Sequence, residues 1–305
     1  MNNPAVLLLT FNRPRTTELV WERLRLAKPP RLYVVSDGPR ADHARDVELV
    51  RAVRQVTSRV DWECDVKRLD RAVNLGCGPG VRAGIDWFFS HEPEGIILED
   101  DTVPEPSFFE FTSVLLERFR YDDRVGMISG TNHIGYKPKG ASYLFSRNKS
   151  CWGWASWRRA WSGMDFELSW KTAQLASSVL ENMGVSKHHR RHWLRAIQSI
   201  EAGRVSTWDW PWYFSLASQN QLVIFPECNL VANVGFGEDS THTRGDAPHY
   251  VSQTTPISLP LEHPALVVPD HDWDLKFERT KMKKSGLQRL RLGRVLNRLS
   301  GIFRS

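Results

Sequence analysis

The sequence is poor in cysteine and has no long apolar run. Its four cysteines among 305 residues lie far apart, without the paired spacing of a zinc site or the density of a disulfide framework. A reducing cytosol is therefore the expected compartment. No apolar stretch approaches the roughly 20 residues that a membrane-spanning helix needs. The first apolar run, at 5–9, is too short for a signal peptide, and no cationic segment precedes it.

The excess of positive over negative charge is confined to the C-terminal segment. The net charge is +6, but residues 275–305 carry ten lysines and arginines against one acid, Glu278, which leaves residues 1–274 mildly acidic. This distribution argues against a nucleic-acid-binding fold and is typical of contact with an anionic surface. Between residues 287 and 303, apolar residues recur at steps of three and four with arginines between them. That pattern predicts an amphipathic helix lying peripherally on an anionic membrane. Packing on the protein body or on a second subunit is the alternative.

The first 130 residues alternate between strand-like and helix-like patterns, which predicts an α/β fold with a mostly parallel sheet and helices on both faces. The strand-like runs lie at 4–10, 31–36, 62–69, 95–98 and 125–129.

The second half of the chain has a different composition. Nine of the thirteen tryptophans fall between Trp152 and Trp212, and the regular alternation is lost there. We therefore expect one domain over residues 1–274, in which a Trp-rich half at 131–274 packs on the half at 1–130. The basic segment at 275–305 follows.

Polar residues follow three of the predicted strands directly. They are Thr10-Phe11-Asn12-Arg13, Ser36-Asp37-Gly38 and Glu99-Asp100-Asp101. Because ligands of such sheets bind beyond the carboxyl ends of the strands, these residues predict a polar crevice at one edge.

The acidic triplet Glu99-Asp100-Asp101 is the strongest chemical signal. Three adjacent carboxylates repel one another, so the end of a buried strand would not carry them without a cation. Hard oxygen ligands of this kind suit Mg²⁺ or Mn²⁺, which in turn bind pyrophosphate oxygens. A solvated acidic turn is the alternative, but Thr102 and the apolar segment at 107–111 favour a structured site.

The segment 97–111, Ile-Leu-Glu-Asp-Asp-Thr-Val-Pro-Glu-Pro-Ser-Phe-Phe-Glu-Phe, resembles the DXD region of GT-A glycosyltransferases. It is especially similar to the inverting N-acetylglucosaminyltransferase that initiates complex N-glycan branching, and to bacterial family-two-like transferases. The segments 8–14 and 35–39 resemble the nucleotide-contacting strand ends of those enzymes, and 74–80 resembles their third contact. The resemblance covers roughly residues 4 to 245.

The resemblance implies a role for individual residues. Asp101 would ligate the divalent cation, while Glu99 and Asp100 would face the ribose and the donor sugar. Asp37 would bond the base or the ribose. The remaining residues implied to line the nucleotide slot are Thr10, Phe11, Asn12, Arg13, Arg71 and Asn74.

A second block of interest runs from Cys151 to Trp161. The resemblance assigns Trp152 and Gly153 to the donor-sugar loop, where an aromatic face can stack on a sugar ring. Trp154, Trp157 and Trp161 are three and four residues apart, so an aromatic core cluster at helical spacing is the preferred interpretation for them.

Asp209 is the candidate general base. It lies between tryptophans in Thr207-Trp-Asp-Trp-Pro-Trp212, where desolvation should raise the pKa of a carboxyl group. An acid at the matching place in inverting GT-A enzymes deprotonates the acceptor hydroxyl. A structural Asp that caps a helix is the alternative.

His242 is the candidate for completing the metal shell. Related transferases often carry a late histidine there, and Glu238 and Asp239 are alternative contributors. A second pair, His188 and His192, is one helical turn apart, but its cationic neighbours favour a solvated helix face over a zinc site.

These patterns predict a metal-dependent, inverting glycosyltransferase. Its donor would be a nucleotide-diphosphate sugar, with UDP-linked sugars expected from the resemblance, bound by residues 1–130. Its acceptor would be a glycan or lipid-linked glycan bound by residues 131–274, in bacterial surface polysaccharide synthesis. No nucleic-acid partner is expected, and the protein would be cytoplasmic or peripheral on the inner face of the cell membrane.

Two other functions fit the sequence less well. A sugar-nucleotide pyrophosphorylase would open with a Gly-rich loop after its first strand, and Thr10-Phe-Asn-Arg-Pro14 is unlike that. A sugar-nucleotide-binding protein without transferase activity would lack acids that are present here, namely Asp37, Asp100, Asp101 and Asp209.

Overall fold

A computed structural model describes residues 4–172, 176–236 and 253–281. The strands are β1 (Ala5–Thr10), β2 (Arg31–Ser36), β3 (Asp65–Asp70), β4 (Glu94–Glu99), β5 (Thr102–Pro104), β6 (Val125–Ser129), β7 (Tyr143–Ser146), β8 (Trp154–Trp157), β9 (Leu222–Pro226) and β10 (Val231–Asn233). The α-helices are α1 (Pro14–Ala27), α2 (Arg45–Thr57), α3 (Cys77–His91), α4 (Ser107–Arg118), α5 (Arg158–Trp161), α6 (Ala176–Glu181), α7 (Lys187–Glu201) and α8 (Asp209–Ser218).

Eight of these strands form one central sheet in the order β3-β2-β1-β4-β8-β6-β9-β7. The first four run parallel to one another, β8 is antiparallel to both of its neighbours, and β6 is parallel to β9. β5 and β10 pair in a separate two-stranded sheet. The predicted α/β fold with a mostly parallel sheet is confirmed.

Both faces of the sheet are covered by helices, as β1 illustrates. Alternate residues of a strand point to opposite faces. Val6 and Leu8 pack in a core with residues of α1 and α4, whereas Leu7 and Leu9 pack with residues of α3 and α8. All of β1 is buried, which explains why it reads as a continuous apolar run instead of an alternating one.

The Trp-rich half does not follow the helical spacing expected for it. Trp154 and Trp157 begin and end β8, and only Trp161 lies on a helix, the short α5. A separation of three residues on a strand places two side chains on opposite faces, so Trp154 and Trp157 enter different cores. All three tryptophans are buried, which confirms the core interpretation. This half also contributes β7, β8 and β9 to the central sheet, but its elements do not alternate, since β8 directly follows β7 and α5 to α8 all lie between β8 and β9.

A further helix over residues 271–281 packs on the body of the protein. The rings of Trp273 and Phe277 lie 4.3 and 6.0 Å from that of Phe225. Both carboxylate oxygens of Glu278 accept backbone N–H groups next to α7, from Val185 and Ser186. The helix therefore crosses the boundary expected at residues 274–275.

The amphipathic pattern at 287–303 lies outside the described residues. Among the helices of the described part, none is long and apolar enough to cross a bilayer.

Candidate active site

The carboxyl ends of β1, β2, β3 and β4 meet at one edge of the sheet. The strands are in register there, since Thr10 pairs with Ser36, Ser36 with Asp70, and Leu9 with Glu99. Residues that leave these strands must therefore enter one shared space. The sequence predicted this convergence because parallel neighbours end together.

A cavity of about 290 Å³ lies at this edge. Eight of the predicted site residues line it: Thr10, Phe11, Arg13, Asp37, Arg71, Asn74, Glu99 and Asp100. Residues from four strand ends thus surround one space, with carboxylates beyond β4 and arginines beyond β1 and β3.

Arg13 bridges the acidic triplet. Its Nη1 donates to Asp101 Oδ2 over 2.7 Å, and its Nη2 donates to Asp100 Oδ1. The other oxygen of Asp100 accepts the backbone N–H of Phe11 at 3.2 Å. The positive charge that the sequence required at this strand end is therefore present as a guanidinium. Arg13 lines the cavity as expected, but its donors are directed to the acids.

The ionisation of the triplet reflects this crowding. Burial raises the pKa of Glu99 well above its ordinary value, and the charge of Asp101 raises it further. Burial also raises the pKa of Asp100, although the charge of Arg13 opposes that shift. For Arg13, burial opposes the charged form, but the attraction of Asp100 and Asp101 outweighs it and raises the pKa. A single guanidinium does not fully compensate three carboxylates.

Asp37 organises the loop on the far side of the cavity. Its carboxylate accepts the backbone N–H groups of Gly38, Leu75 and Gly76 at 3.1–3.2 Å and the Nδ2 of Asn74 at 3.0 Å. These bonds hold residues 74–76 against the end of β2. Most of the accepting capacity of Asp37 is therefore used within the protein.

Arg71 is anchored through one side of its guanidinium. Nη1 donates to the carbonyl oxygen of Gly80 at 2.9 Å and lies 3.8 Å from Asp37 Oδ1. Nη2 is buried and finds no acceptor in the part of the chain that the structure describes. The side chain is only 10% exposed. A buried donor without an acceptor is costly, so this atom marks a place where a ligand oxygen would be stabilising.

Five of the predicted site residues in the described part of the chain do not line the cavity, namely Asn12, Asp101, Trp152, Gly153 and Asp209. Asn12 turns away and donates to Asp46 Oδ1 at 2.8 Å, which ties the end of β1 to α2. Trp152 packs instead against the rings of His133 and Phe236, at 5.1 and 6.1 Å.

Gly153 is required by the fold. It has φ +59°, and a Cβ at this position would lie 2.7 Å from a methyl group of Val231. Its conformation and close packing account for the glycine without any ligand.

Asp209 is the first residue of α8 and is half-buried. Its Oδ1 accepts the hydroxyl of Thr207 and, at 2.9 Å, the backbone N–H of Trp210. The ring of Trp208 stacks on that of Trp154 in the core, and the ring of Trp212 lies 5.9 Å from Trp154 in a tilted arrangement. The carboxylate thus contacts the helix N-terminus, as the structural alternative expected, and its charge still reaches Glu99, whose pKa it helps to raise after burial.

Arg40 and Cys77 also line the cavity, although the sequence did not single them out individually. The guanidinium carbon of Arg40 lies 5.4 Å from the centre of the Phe11 ring, and its Nε donates to Asp46 at 2.6 Å. Cys77 lies at the start of α3, where burial, followed by the charges of Glu99 and Asp209, raises the pKa of its thiol to about 12. Arg40 directly follows the segment 35–39, and Cys77 lies within the segment 74–80, so both had a signal in the sequence.

A divalent cation fits this edge by donor chemistry and charge. Carboxylate oxygens are the ligands that Mg²⁺ and Mn²⁺ prefer, and the charges of Asp100 and Asp101 together exceed the single positive charge of Arg13. Within residues 4–172, 176–236 and 253–281, no three His, Cys, Asp or Glu side chains converge as a preformed metal site. His242, Glu238 and Asp239 lie outside the described residues.

The chain matches no protein-family model, and no curated protein sequence is similar to it. Among solved structures, mouse xyloside xylosyltransferase 1 is 12% identical over 71% of this chain and 83% of that chain, with a TM-score of 0.34. HddC from Yersinia pseudotuberculosis is 10% identical over 51% of this chain and 77% of that chain, with a TM-score of 0.31. The inositol-1-phosphate CTP transferase from T. maritima is 10% identical over 56% of this chain and 76% of that chain, with a TM-score of 0.32. Likenesses this remote carry no argument about activity, and the α/β fold rests on the sheet topology itself.

Proposed function

We propose that the chain is a glycosyltransferase that binds a nucleotide-diphosphate sugar in the cavity at the ends of β1–β4. The observation that carries the proposal is Arg71. Its buried Nη2 lacks an acceptor among the described residues, while the side chain lines the cavity. A carbonyl or phosphate oxygen of a bound nucleotide would satisfy this donor.

The polarity of the cavity supports an extended ligand with two different ends. The carboxylates follow β4 and Arg71 follows β3, and three strand spacings of about 4.8 Å each separate these strands. In our proposal the diphosphate and the sugar lie toward Glu99 and Asp101. The base lies toward Asp37 and Arg71, beside the ring of Phe11.

We assign Mg²⁺ or Mn²⁺ as the cofactor, held by Asp101 with support from the neighbouring acids and from His242. When bound, such a cation neutralises charge on the departing diphosphate. Arg13 supplies further positive charge to the phosphates, and Glu99 and Asp100 contact the ribose and the donor sugar.

Asp209 is the proposed general base. It would take the proton of the acceptor hydroxyl as that oxygen attacks the anomeric carbon, and direct displacement of the diphosphate then inverts the configuration. Two contacts of Oδ1 fix the orientation of the carboxylate.

The remaining assignments rest on the sequence. We propose a UDP-linked donor, a glycan or lipid-linked glycan acceptor, and a role in bacterial surface polysaccharide synthesis at the inner face of the cell membrane. Contact with anionic lipid would come from the basic segment at 275–305. Its amphipathic portion lies beyond the described residues.

Product analysis tests the proposal. The protein is incubated with Mn²⁺ and, separately, with UDP-, GDP-, CDP- and dTDP-sugars, with water and simple glycosides as acceptors. Release of a nucleoside diphosphate together with an inverted sugar product is expected for at least one donor. Formation of pyrophosphate from a sugar phosphate and a nucleoside triphosphate would identify a nucleotidyltransferase instead. Binding without turnover of any donor would favour a non-enzymatic protein.

A further inference from the structure

Arg13 forms an ion pair with Asp101, the carboxylate to which the proposed function assigns the metal. The bond from its Nη1 to Asp101 Oδ2 is 2.7 Å long, and the same guanidinium also holds Asp100. The side chains of Asp101 and Asp100 are only 15% and 3% exposed, and that of Arg13 is 21% exposed, so the ion pairs are largely shielded from water. Such pairs are screened much less than surface pairs.

The surroundings leave little room beside this pair. A Cβ added to Gly235 would lie 2.0 Å from Asp101 Oδ2 and 2.9 Å from Arg13 Nη1. The backbone of Asp101 is held as well, since its carbonyl oxygen accepts the N–H of Val234 at 2.9 Å. Residues 234–235 therefore cover the pair on one side.

A guanidinium and a divalent cation compete for such a carboxylate. They use the same oxygen lone pairs, and even a cation on the other oxygen of Asp101 would lie within a few ångströms of a like charge. Coulomb repulsion between charges this close opposes cation binding. A cation would therefore bind well only after Arg13 leaves Asp101.

A nucleotide diphosphate provides the alternative partner for Arg13. Phosphate oxygens accept the same forked pair of N–H donors as a carboxylate does, and Arg13 lines the cavity in which the proposed function places the donor. We propose that Arg13 is a positioning residue that makes cation and nucleotide binding interdependent. It blocks the cation at Asp101 until phosphate draws it away. This inference rests on the proposed function for the identity of the nucleotide.

The inference has two thermodynamic consequences. Without nucleotide, Arg13 should weaken the binding of a divalent cation. With nucleotide, cation and nucleotide should each strengthen the binding of the other by the same factor, because coupling between two ligands is reciprocal. The second effect is not expected to depend on Arg13 if Arg13 stays on Asp101 when the nucleotide binds.

The test measures Mn²⁺ affinity by electron paramagnetic resonance, with no donor or acceptor present. Arg13→Gln removes the competing charge, and Arg13→Lys keeps the charge without the fork. Arg25→Gln is the matched control, because Arg25 also pairs with an aspartate, Asp61, but on the exposed surface. Circular dichroism checks that each variant is folded. If Arg13→Gln does not fold, the comparison with the wild type is made with Arg13→Lys.

We expect Arg13→Gln to bind Mn²⁺ about tenfold more tightly than the wild type, Arg13→Lys to be intermediate, and Arg25→Gln to be unchanged. Repeating the titration with UDP should tighten Mn²⁺ binding in the wild type and much less in Arg13→Gln. Equal or weaker Mn²⁺ binding by Arg13→Gln would overturn the inference, and so would the absence of binding to that variant.

The nucleotide-free titration also separates this inference from the proposed function. If Arg13→Gln gains Mn²⁺ affinity but no nucleotide affects it, the competition holds and the nucleotide assignment fails. If UDP binds to all variants while their Mn²⁺ affinities are equal, the nucleotide assignment holds and Arg13 has no positioning role.

Discussion

The carboxylate of Asp209 accepts a hydrogen bond from the hydroxyl of Thr207, two residues earlier in the chain. The bond closes the turn that leads into α8, and the N–H of Trp210 donates to the same oxygen. Asp209 is thus held in one orientation by its own segment while its charge reaches Glu99. A carboxylate fixed in this way suits general-base catalysis, which depends on geometry before pKa.

Asp209→Asn should leave donor binding nearly unchanged and slow transfer by about a hundredfold or more, since the amide cannot accept the acceptor's proton. The amide oxygen can still accept from Thr207 and Trp210, so α8 should remain folded. Rates at saturating donor measure the effect. Asp165→Asn is the control, because Asp165 likewise bonds to a nearby turn, through Ser169. Near-normal turnover by Asp209→Asn would make Asp209 structural.

Arg71→Lys should weaken nucleotide binding by about tenfold, corresponding to the loss of one hydrogen bond to a charged donor. Lysine keeps the charge and can still reach one partner, such as the carbonyl of Gly80, but it lacks the second donor group. Calorimetric titration with UDP checks this, and Arg59→Lys on the surface is the control. An unchanged affinity would show that the unpaired Nη2 does not contact the nucleotide.

His189 should make the protein sensitive to acid. Burial, and then the charge of His192, lower its pKa from 6.5 to about 3. Between these values the unfolded chain binds a proton that the folded chain does not, so stability should fall as the pH drops below about 6.5. His189→Gln keeps an acceptor for the indole N–H of Trp193 and should show a shallower fall in denaturant unfolding. His188→Gln, at an exposed neighbouring position, should follow the wild type. Identical pH profiles for all three proteins would refute this account.

The basic segment should bind anionic membranes. Its described beginning is part of the fold, since Phe277 and Glu278 are buried. A truncation should therefore remove residues 282–305 and leave the helix at 271–281 intact. We expect the full chain to float with anionic vesicles at low salt, where each basic residue contributes about 1 kcal/mol, and the truncated chain to remain at the bottom. Failure of the full chain to float would exclude the membrane contact.

The strand ends were the most predictable part of this molecule. The pattern at 31–36 coincides with β2, because a strand buried on both faces reads as an unbroken apolar run. The convergence of Thr10, Asp37 and Glu99 followed from the parallel order of their strands. These features depend on local sequence and on general rules of sheet geometry.

Contacts between distant segments were not predictable in the same way. The pair of Arg13 and Asp101 joins residues 88 positions apart. The resemblance implied only that Arg13 lines the nucleotide slot. The spacing of Trp154 and Trp157 fits a helix as well as a strand, and pairing with β4 and β6 decided in favour of the strand. Gly153 packs on Val231, a distant contact that a single sequence does not show. The resemblance therefore placed it in the donor-sugar loop.

The most direct test of the central claim is calorimetric titration with a panel of nucleotide sugars, in Mn²⁺ and in chelator. The account predicts saturable binding of at least one nucleotide sugar by the wild type in Mn²⁺, with a large loss of affinity in chelator and in Asp101→Asn. Asp61→Asn, which alters only a surface pair, should bind as the wild type does. Wild-type affinity that ignores the chelator would contradict the metal assignment, and the absence of binding by any nucleotide sugar in Mn²⁺ would contradict the function itself.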